Sequence, residues 1–300
     1  MRINDVEIAD TFAEVFPVCL SRLLISGRTR DWALRAAQNA VGFATSFITC
    51  SAQGGIEGPE PAEVPDKRPG VAIQIGVMNK KLLTEQLLLR IGGCVMTCPT
   101  TSVFDFMPKE ERKGFVHVGK KIGFFGDGYQ RLVKKYEKEL VSIPRMEGDF
   151  LVEKSFGYTE GVADDFFIMA DSQHSALKAA EVVISSINKI EGVVAPFPGG
   201  ICASGSKVGS LNYDFLRAST NHRYCPTIAS KIEGSKLPKN VKSVYEIVIM
   251  GLNVDRVKYA LKVGIESATE IQGVIKIDAW NEGGKFGKYK FYLHEILGKE

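Results

Sequence analysis

Histidine is the scarcest reactive residue in this chain: four in 300 residues, at His117, His174, His222 and His294. They lie far apart, and the six cysteines (Cys19, Cys50, Cys94, Cys98, Cys202 and Cys225) are as thinly spread. A zinc site needs four nitrogen or sulfur ligands. The one close pair, Cys94 and Cys98, falls in an apolar helical pattern with no second pair nearby. The expectation is structural thiols in a reducing compartment, with neither a metal centre nor a disulfide framework. An excess of one charge is missing too. Lys and Arg number 38 against 35 Asp and Glu, a net charge of +3, too mild for a nucleic-acid-binding face. The longest charge-free stretch, Ala36 to Ile56, carries Gln38, Asn39, Thr45, Ser46, Thr49, Ser51 and Gln53, which is too polar for a lipid span. Met1-Arg-Ile-Asn-Asp-Val-Glu lacks the apolar core of a signal peptide. These absences predict a cytoplasmic protein that touches neither membrane nor nucleic acid. No strand leads into G-x-G-x-x-G and there is no P-loop, which argues against one doubly wound sheet.

What remains is ordinary globular material, 45% apolar and 24% charged, long enough for two cores. Strand–helix–strand passages recur. Leu23-Leu-Ile-Ser is followed by Trp32, Ala33, Ala36, Ala37, Ala40 and Val41 at helical spacing, then by Phe43-Ala-Thr-Ser-Phe-Ile as an expected strand. Val71-Ala-Ile-Gln-Ile precedes the helical stripe Leu83, Leu87 and Ile91, with Ile122-Gly-Phe-Phe as a later strand; Pro59 to Gly70 forms a surface loop. Phe166-Phe-Ile-Met leads to a helix over Ala176, Ala180, Val183, Ile187 and Ile190, capped by Ser175, and then to Val193-Val-Ala-Pro-Phe. Val244-Tyr-Glu-Ile-Val-Ile-Met, a helix capped by Asn253, and Val274-Ile-Lys-Ile complete the series. Two β-α-β units per half predict an α+β protein of two ferredoxin-like α/β sandwich lobes. The boundary is placed near Ile143-Pro-Arg-Met-Glu-Gly, giving an N-terminal (proximal) lobe over 1–144 and a C-terminal (distal) lobe over 145–300.

Three segments carry candidate chemistry. Pro196 to Ser210 packs four glycines, among them Gly199 and Gly200, with Ser204, Ser206 and Lys207. Backbone amides exposed by glycine, two hydroxyls and one cation suit an anionic or carbonyl-rich ligand, although a long flexible loop has the same composition. Glu246 sits mid-strand with Val244 and Val248 on its own face. A carboxyl in such a wall has its pKa raised and can act as a neutral hydrogen-bond donor and general acid, whereas an edge-strand Glu would simply face water. Ala279 to Gly287 is a Gly-rich turn ending near Lys285, which a hairpin loop also explains. Ala218-Ser-Thr-Asn221 and Tyr224-Cys-Pro-Thr227 add short polar groups of the kind that cap turns. A serine or cysteine amidohydrolase using Ser204 or Cys202 lacks the G-x-S-x-G elbow and a histidine close in sequence.

Together, Pro196-Phe-Pro-Gly-Gly-Ile, Ser204-Gly-Ser-Lys-Val-Gly209, Ala218-Ser-Thr-Asn221, Val244-Tyr-Glu-Ile-Val-Ile, Gly283-Gly-Lys285 and Asp10-Thr-Phe-Ala-Glu14 resemble the formylmethanofuran–tetrahydromethanopterin formyltransferase family. The resemblance runs in order from near Met1 to Leu297. It implies a homotetramer (a dimer of dimers) with no permanently bound cofactor or metal. Methanofuran and tetrahydromethanopterin, both polyanionic, would act as coenzyme substrates. It also implies Glu246 at the reacting carbon, and Gly199, Gly200, Ser204, Ser206, Lys207, Asn221 and Lys285 around the substrates. The chain departs from the family pattern in three places. It has Asp164-Asp-Phe-Phe where Gly-Gly-Asn is expected before an aromatic, Trp280-Asn-Glu before Gly-Gly-Lys, and Ser51-Ala-Gln-Gly-Gly after Cys50. The alternative those loops suggest is a diverged paralogue that binds a pterin or a partner subunit without catalysis.

Overall fold

Two fifteen-residue strands, Phe12–Ser26 and Phe156–Ala170, organise the chain. The computed structural model describes residues 1–298 and divides them inside each of these strands. One compact unit comprises Met1–Pro17 with the residues from Val162 onward, and the other comprises Val18–Gly161. This differs from a linear cut at 144/145, and strand pairing is the reason. Lys276 and Ile277 pair in parallel with Glu7 and Ile8, and Tyr289–Tyr292 pairs with residues 12–15, so the first seventeen residues belong with the C-terminal sheet. Conversely, Phe150–Glu153 runs beside Ser102–Asp105 and Lys138–Ile143 in the other unit.

In the Val18–Gly161 unit the strand order is Gln53–Ile56, Gly70–Val77, residues 18–26, then Ser102–Asp105, all antiparallel. Helices Arg30–Val41 and Lys80–Arg90 cover this sheet, capped by Thr29 and Asn79. Ala33, Ala36, Ala37 and Ala40 let the first helix settle closely on Ile25, Ile73 and Ile75. Arg22 and Glu57 form a buried bidentate pair at 2.7 and 2.8 Å. Two expected strands are not strands. Phe47–Cys50 is a helical turn capped by Ser46, and the next strand begins at Gln53. Gly119–Gly123 is helical and runs into a tight turn that leaves Phe124 and Phe125 largely exposed. Both were short apolar runs without alternation, where periodicity does not separate helix from strand.

In the other unit the order is Val193–Val194, Ser243–Gly251, residues 162–170, Val274–Asp278, then Val6–Ile8. Helices Gln173–Ile187 and Val254–Thr269 pack on one face, with Gly264 lying against Phe166 and Val183. Ser172, not Ser175, caps the first of these helices, because its hydroxyl accepts the Ser175 amide. Val193–Val194 is short because Pro196 and Phe197, the latter at φ 80°, turn the chain away. The opposite face of the sheet, with Phe167, Met169, Tyr224 and Val241, carries the site.

Candidate active site

The two-residue period of Ser243–Gly251 sends Tyr245, Ile247 and Ile249 toward the helices and Glu246 the other way, with Val244 and Val248. Register then assembles its neighbours. Phe167 lies opposite both Glu246 and Asp278, and Asp165 lies opposite Val248, so all four share Glu246's face. The chain leaving Val194 turns through Phe197, Gly199 and Gly200, all at positive φ, and comes back to the same strand. There Cys202 donates its amide to the Glu246 carbonyl at 2.9 Å and accepts the Glu246 amide at 3.0 Å. This two-bond bridge holds the Gly-rich loop against the carboxyl-bearing residue.

The loop and sheet enclose a cleft of about 120 Å³ whose walls include Phe167, Cys202, Ser204, Asn221, Tyr224 and Glu246. Tyr224 stacks on Phe167 with ring centroids 4.4 Å apart, and its hydroxyl donates to Asp278 Oδ2 at 3.5 Å. Asn221 is buried, and its Nδ2 has no hydrogen-bond partner. An open donor of that kind on a cleft wall suits a carbonyl or carboxylate ligand. Burial drives the Glu246 pKa up, opposed by its hydrogen bonds with Cys202 and Asp165. Asp165 is raised well above its ordinary value by burial and then by the charge of Glu246. Tyr224 is raised by burial and by Asp278. The cleft wall therefore carries one carboxyl, Glu246, raised toward its neutral form with Asp165 on the same sheet face, and there is no metal cluster among the described residues.

Comparison with known proteins identifies the setting. Residues 1–145 match the family model described as formylmethanofuran-tetrahydromethanopterin formyltransferase, and residues 148–296 match the one described as its proximal lobe. The chain belongs to this formyltransferase family. It is similar to the formylmethanofuran–tetrahydromethanopterin formyltransferases of Archaeoglobus fulgidus, 51% identical over 299 residues, and Methanopyrus kandleri, 52% over 300. In both cases 99% of this chain and all of the relative are covered. The solved formyltransferase of Methanosarcina barkeri matches with a TM-score of 0.93 at 50% identity, over 99% of this chain and 100% of that one. A chain of the formyltransferase/hydrolase complex of Methylorubrum extorquens, solved with methylofuran, also matches at 0.93 with 35% identity, covering 100% of this chain and 99% of that one. The family description gives the name proximal to the C-terminal lobe, the reverse of the labels expected above.

Of the formyltransferase site residues expected from sequence, the cleft gathers Ser204, Asn221 and Glu246. The others lie elsewhere in this chain. Gly200 packs on Ile184, where an added Cβ would stand 2.6 Å from Cδ1, and Gly199 is exposed in the same turn. Ser206 and Lys207 lie on a small hairpin, Ser206–Val208 with Ala218–Thr220. Lys207 Nζ is engaged there, donating to Ser219 Oγ at 2.6 Å. Lys285 is exposed on a loop between strands that pair with different partners, so that loop is not a hairpin. Glu14 orders it, accepting the amides of Glu282 at 2.8 Å, Gly284 at 3.2 Å, Gly287 at 2.6 Å, and Phe286. Motif reasoning missed Asp165, which interacts with Glu246, and the cleft-lining roles of Cys202 and Tyr224. A signal for the first existed: adjacent acids in the strand Val162-Ala-Asp-Asp-Phe-Phe-Ile-Met must point one to each face.

Proposed function

We propose that this chain transfers a formyl group reversibly between formylmethanofuran and tetrahydromethanopterin, with Glu246 as the catalytic acid. The chain is a formyltransferase by family, and what supports its chemistry is one observation: a partly buried carboxyl, raised in pKa by burial, on the wall of a cleft with a spare amide donor. In this reading the pterin ring nitrogen attacks the formyl carbon. Glu246 donates a hydrogen bond to the tetrahedral oxyanion, with Asn221 Nδ2 beside it. The carbon–nitrogen bond to methanofuran then breaks and its amine leaves with a proton. Alignment of two bound reactants supplies much of the rate, and both reactants are amines, so no acyl-enzyme is required.

Each lobe is read as ferredoxin-like, because both sheets place the strands of their β-α-β-β-α-β run in the order second, third, first, fourth. Assembly as a homotetramer, polyanionic coenzymes as the only cofactors and a cytoplasmic location complete the reading. The six free thiols suit a reducing compartment, and no helix among the described residues is long and apolar enough to cross a membrane. The test is a coupled assay with both coenzymes on wild type and Glu246→Gln. The variant should keep its fold and lose about 100-fold to 1000-fold in kcat, the scale of one oxyanion donor. Wild-type turnover in the variant would make the carboxyl structural.

A further inference from the structure

The scheme above leaves Asp165 without a task, yet its carboxyl touches the one that acts. Antiparallel register places Phe167 opposite Glu246, so Asp165, two residues back on the same face, reaches diagonally across to it. The two side chains are hydrogen-bonded to each other. Two ionised carboxylates are acceptors only, so a bond between them requires a proton on one of them. Asp165 is held in place from its other side, where Oδ1 accepts the Trp280 amide at 3.3 Å. The remaining titratable groups around the pair are Cys202 from the bridging loop, Tyr224 and Asp278 on the cleft side, and Asp164 on Asp165's own strand. None of these is cationic. Lys236 and Lys276 act on Asp278, whereas the main influences on Asp165 and Glu246 are burial, hydrogen bonds and neighbouring acids. Like carboxyls in contact without a counter-charge titrate as one unit and hold a single proton over a wide pH range.

Resting on the formyl-transfer reading, we propose that Asp165 is a positioning residue that shares one proton with Glu246 and keeps it at the reacting carbonyl through neutral pH. The proton balance of the reaction suits such a pair. Forming the carbon–nitrogen bond releases the ring N–H proton, and breaking the other carbon–nitrogen bond requires one on the departing amine. Through Glu246 the pair gives its proton to the departing amine and takes back the one released by the ring nitrogen, so it holds one proton before and after.

The pH profile of kcat for formyl transfer, in wild type and Asp165→Asn, tests this. Asparagine removes the neighbouring charge and offers Glu246 an amide donor, and both changes favour the Glu246 carboxylate. The alkaline limb of the variant should therefore move to lower pH by about one unit or more. A limb at the wild-type position overturns the proposal. Glu246→Gln separates the two readings. If it turns over normally, the catalytic assignment of Glu246 fails. If it is slow while Asp165→Asn keeps the wild-type limb, the shared proton alone fails. Should Asp165→Asn not fold, carbon-13 titration of the wild-type carboxyls decides. Asp165 and Glu246 moving together through the same midpoints supports the pair, and independent single titrations overturn it.

Discussion

A single acid in the wrong-seeming place exposes the electrostatic economy of this lobe. Asp164 turns to the helix-covered face, opposite Ile249, with Oδ1 accepting the Asp165 amide and Oδ2 unpartnered. Burial pushes its pKa from 3.8 up to about 8. The folded state thus holds a proton that the unfolded chain gives up above its ordinary pKa, and stability falls as pH rises through that window. The slope is at most about 1.4 kcal/mol per pH unit. Asp164→Asn should melt higher than wild type at pH 8 and level with it at pH 4, by scanning calorimetry. A difference that stays flat across this range would show that the carboxyl is not held neutral. The neighbouring Asp165, one residue on, faces the reaction instead. That adjacent acids take opposite faces is legible in a strand; that one of them meets Glu246 is not, because only the register between two distant strands decides it.

Elements show the same division between what local chemistry settles and what pairing settles. The faces of Ser243–Gly251, with Glu246 opposite Tyr245 and Ile247, and the Asn253 cap follow from alternation and capping alone. The Gly-rich turn after Ala279 is visible too, but not the reason for its glycines. An added Cβ at Gly287 would meet Glu14 Cγ at 2.6 Å and Val15 N at 2.9 Å, and Gly284 stands at φ 78°. The loop is wrapped around a carboxylate from the far end of the chain. Burial raises the Glu14 pKa, but backbone amides from Gly287, Glu282, Phe286 and Gly284 outweigh this and hold it below the usual range. Glu14→Gln turns an amide nitrogen toward these donors. Hydrogen exchange of the Glu282, Gly284, Phe286 and Gly287 amides should quicken by about 30-fold, the equivalent of about 2 kcal/mol for charged hydrogen bonds. Exchange at the wild-type rate would mean the loop holds its shape without the carboxylate.

At the scale of the molecule, sequence pattern found the number of β-α-β units and their helices but not which segment completes which sheet. Val6–Ile8 and the start of Phe12–Ser26 are short apolar stretches with nothing local to say that their partners lie beyond residue 270. The consequence is measurable. Separate chains ending at 144 and beginning at 145 should each fail to give the near-ultraviolet circular dichroism of a packed core, since each lacks strands that the other carries. Mixing them should restore the signal. Native-like spectra from either fragment alone would show that these pairings are dispensable.

The same interleaving bears on how the chain is made. On a ribosome residues 1–17 emerge long before their partners beyond residue 270 are translated. Residues 18–161 hold a complete set of their own pairings and can collapse while synthesis continues. The leading strand must wait, its backbone donors met by water or a chaperone, until the tail arrives to claim it. A nascent chain stalled just before Val274 would therefore expose Val6–Ile8 as an unpaired apolar strand, a template for association with other chains.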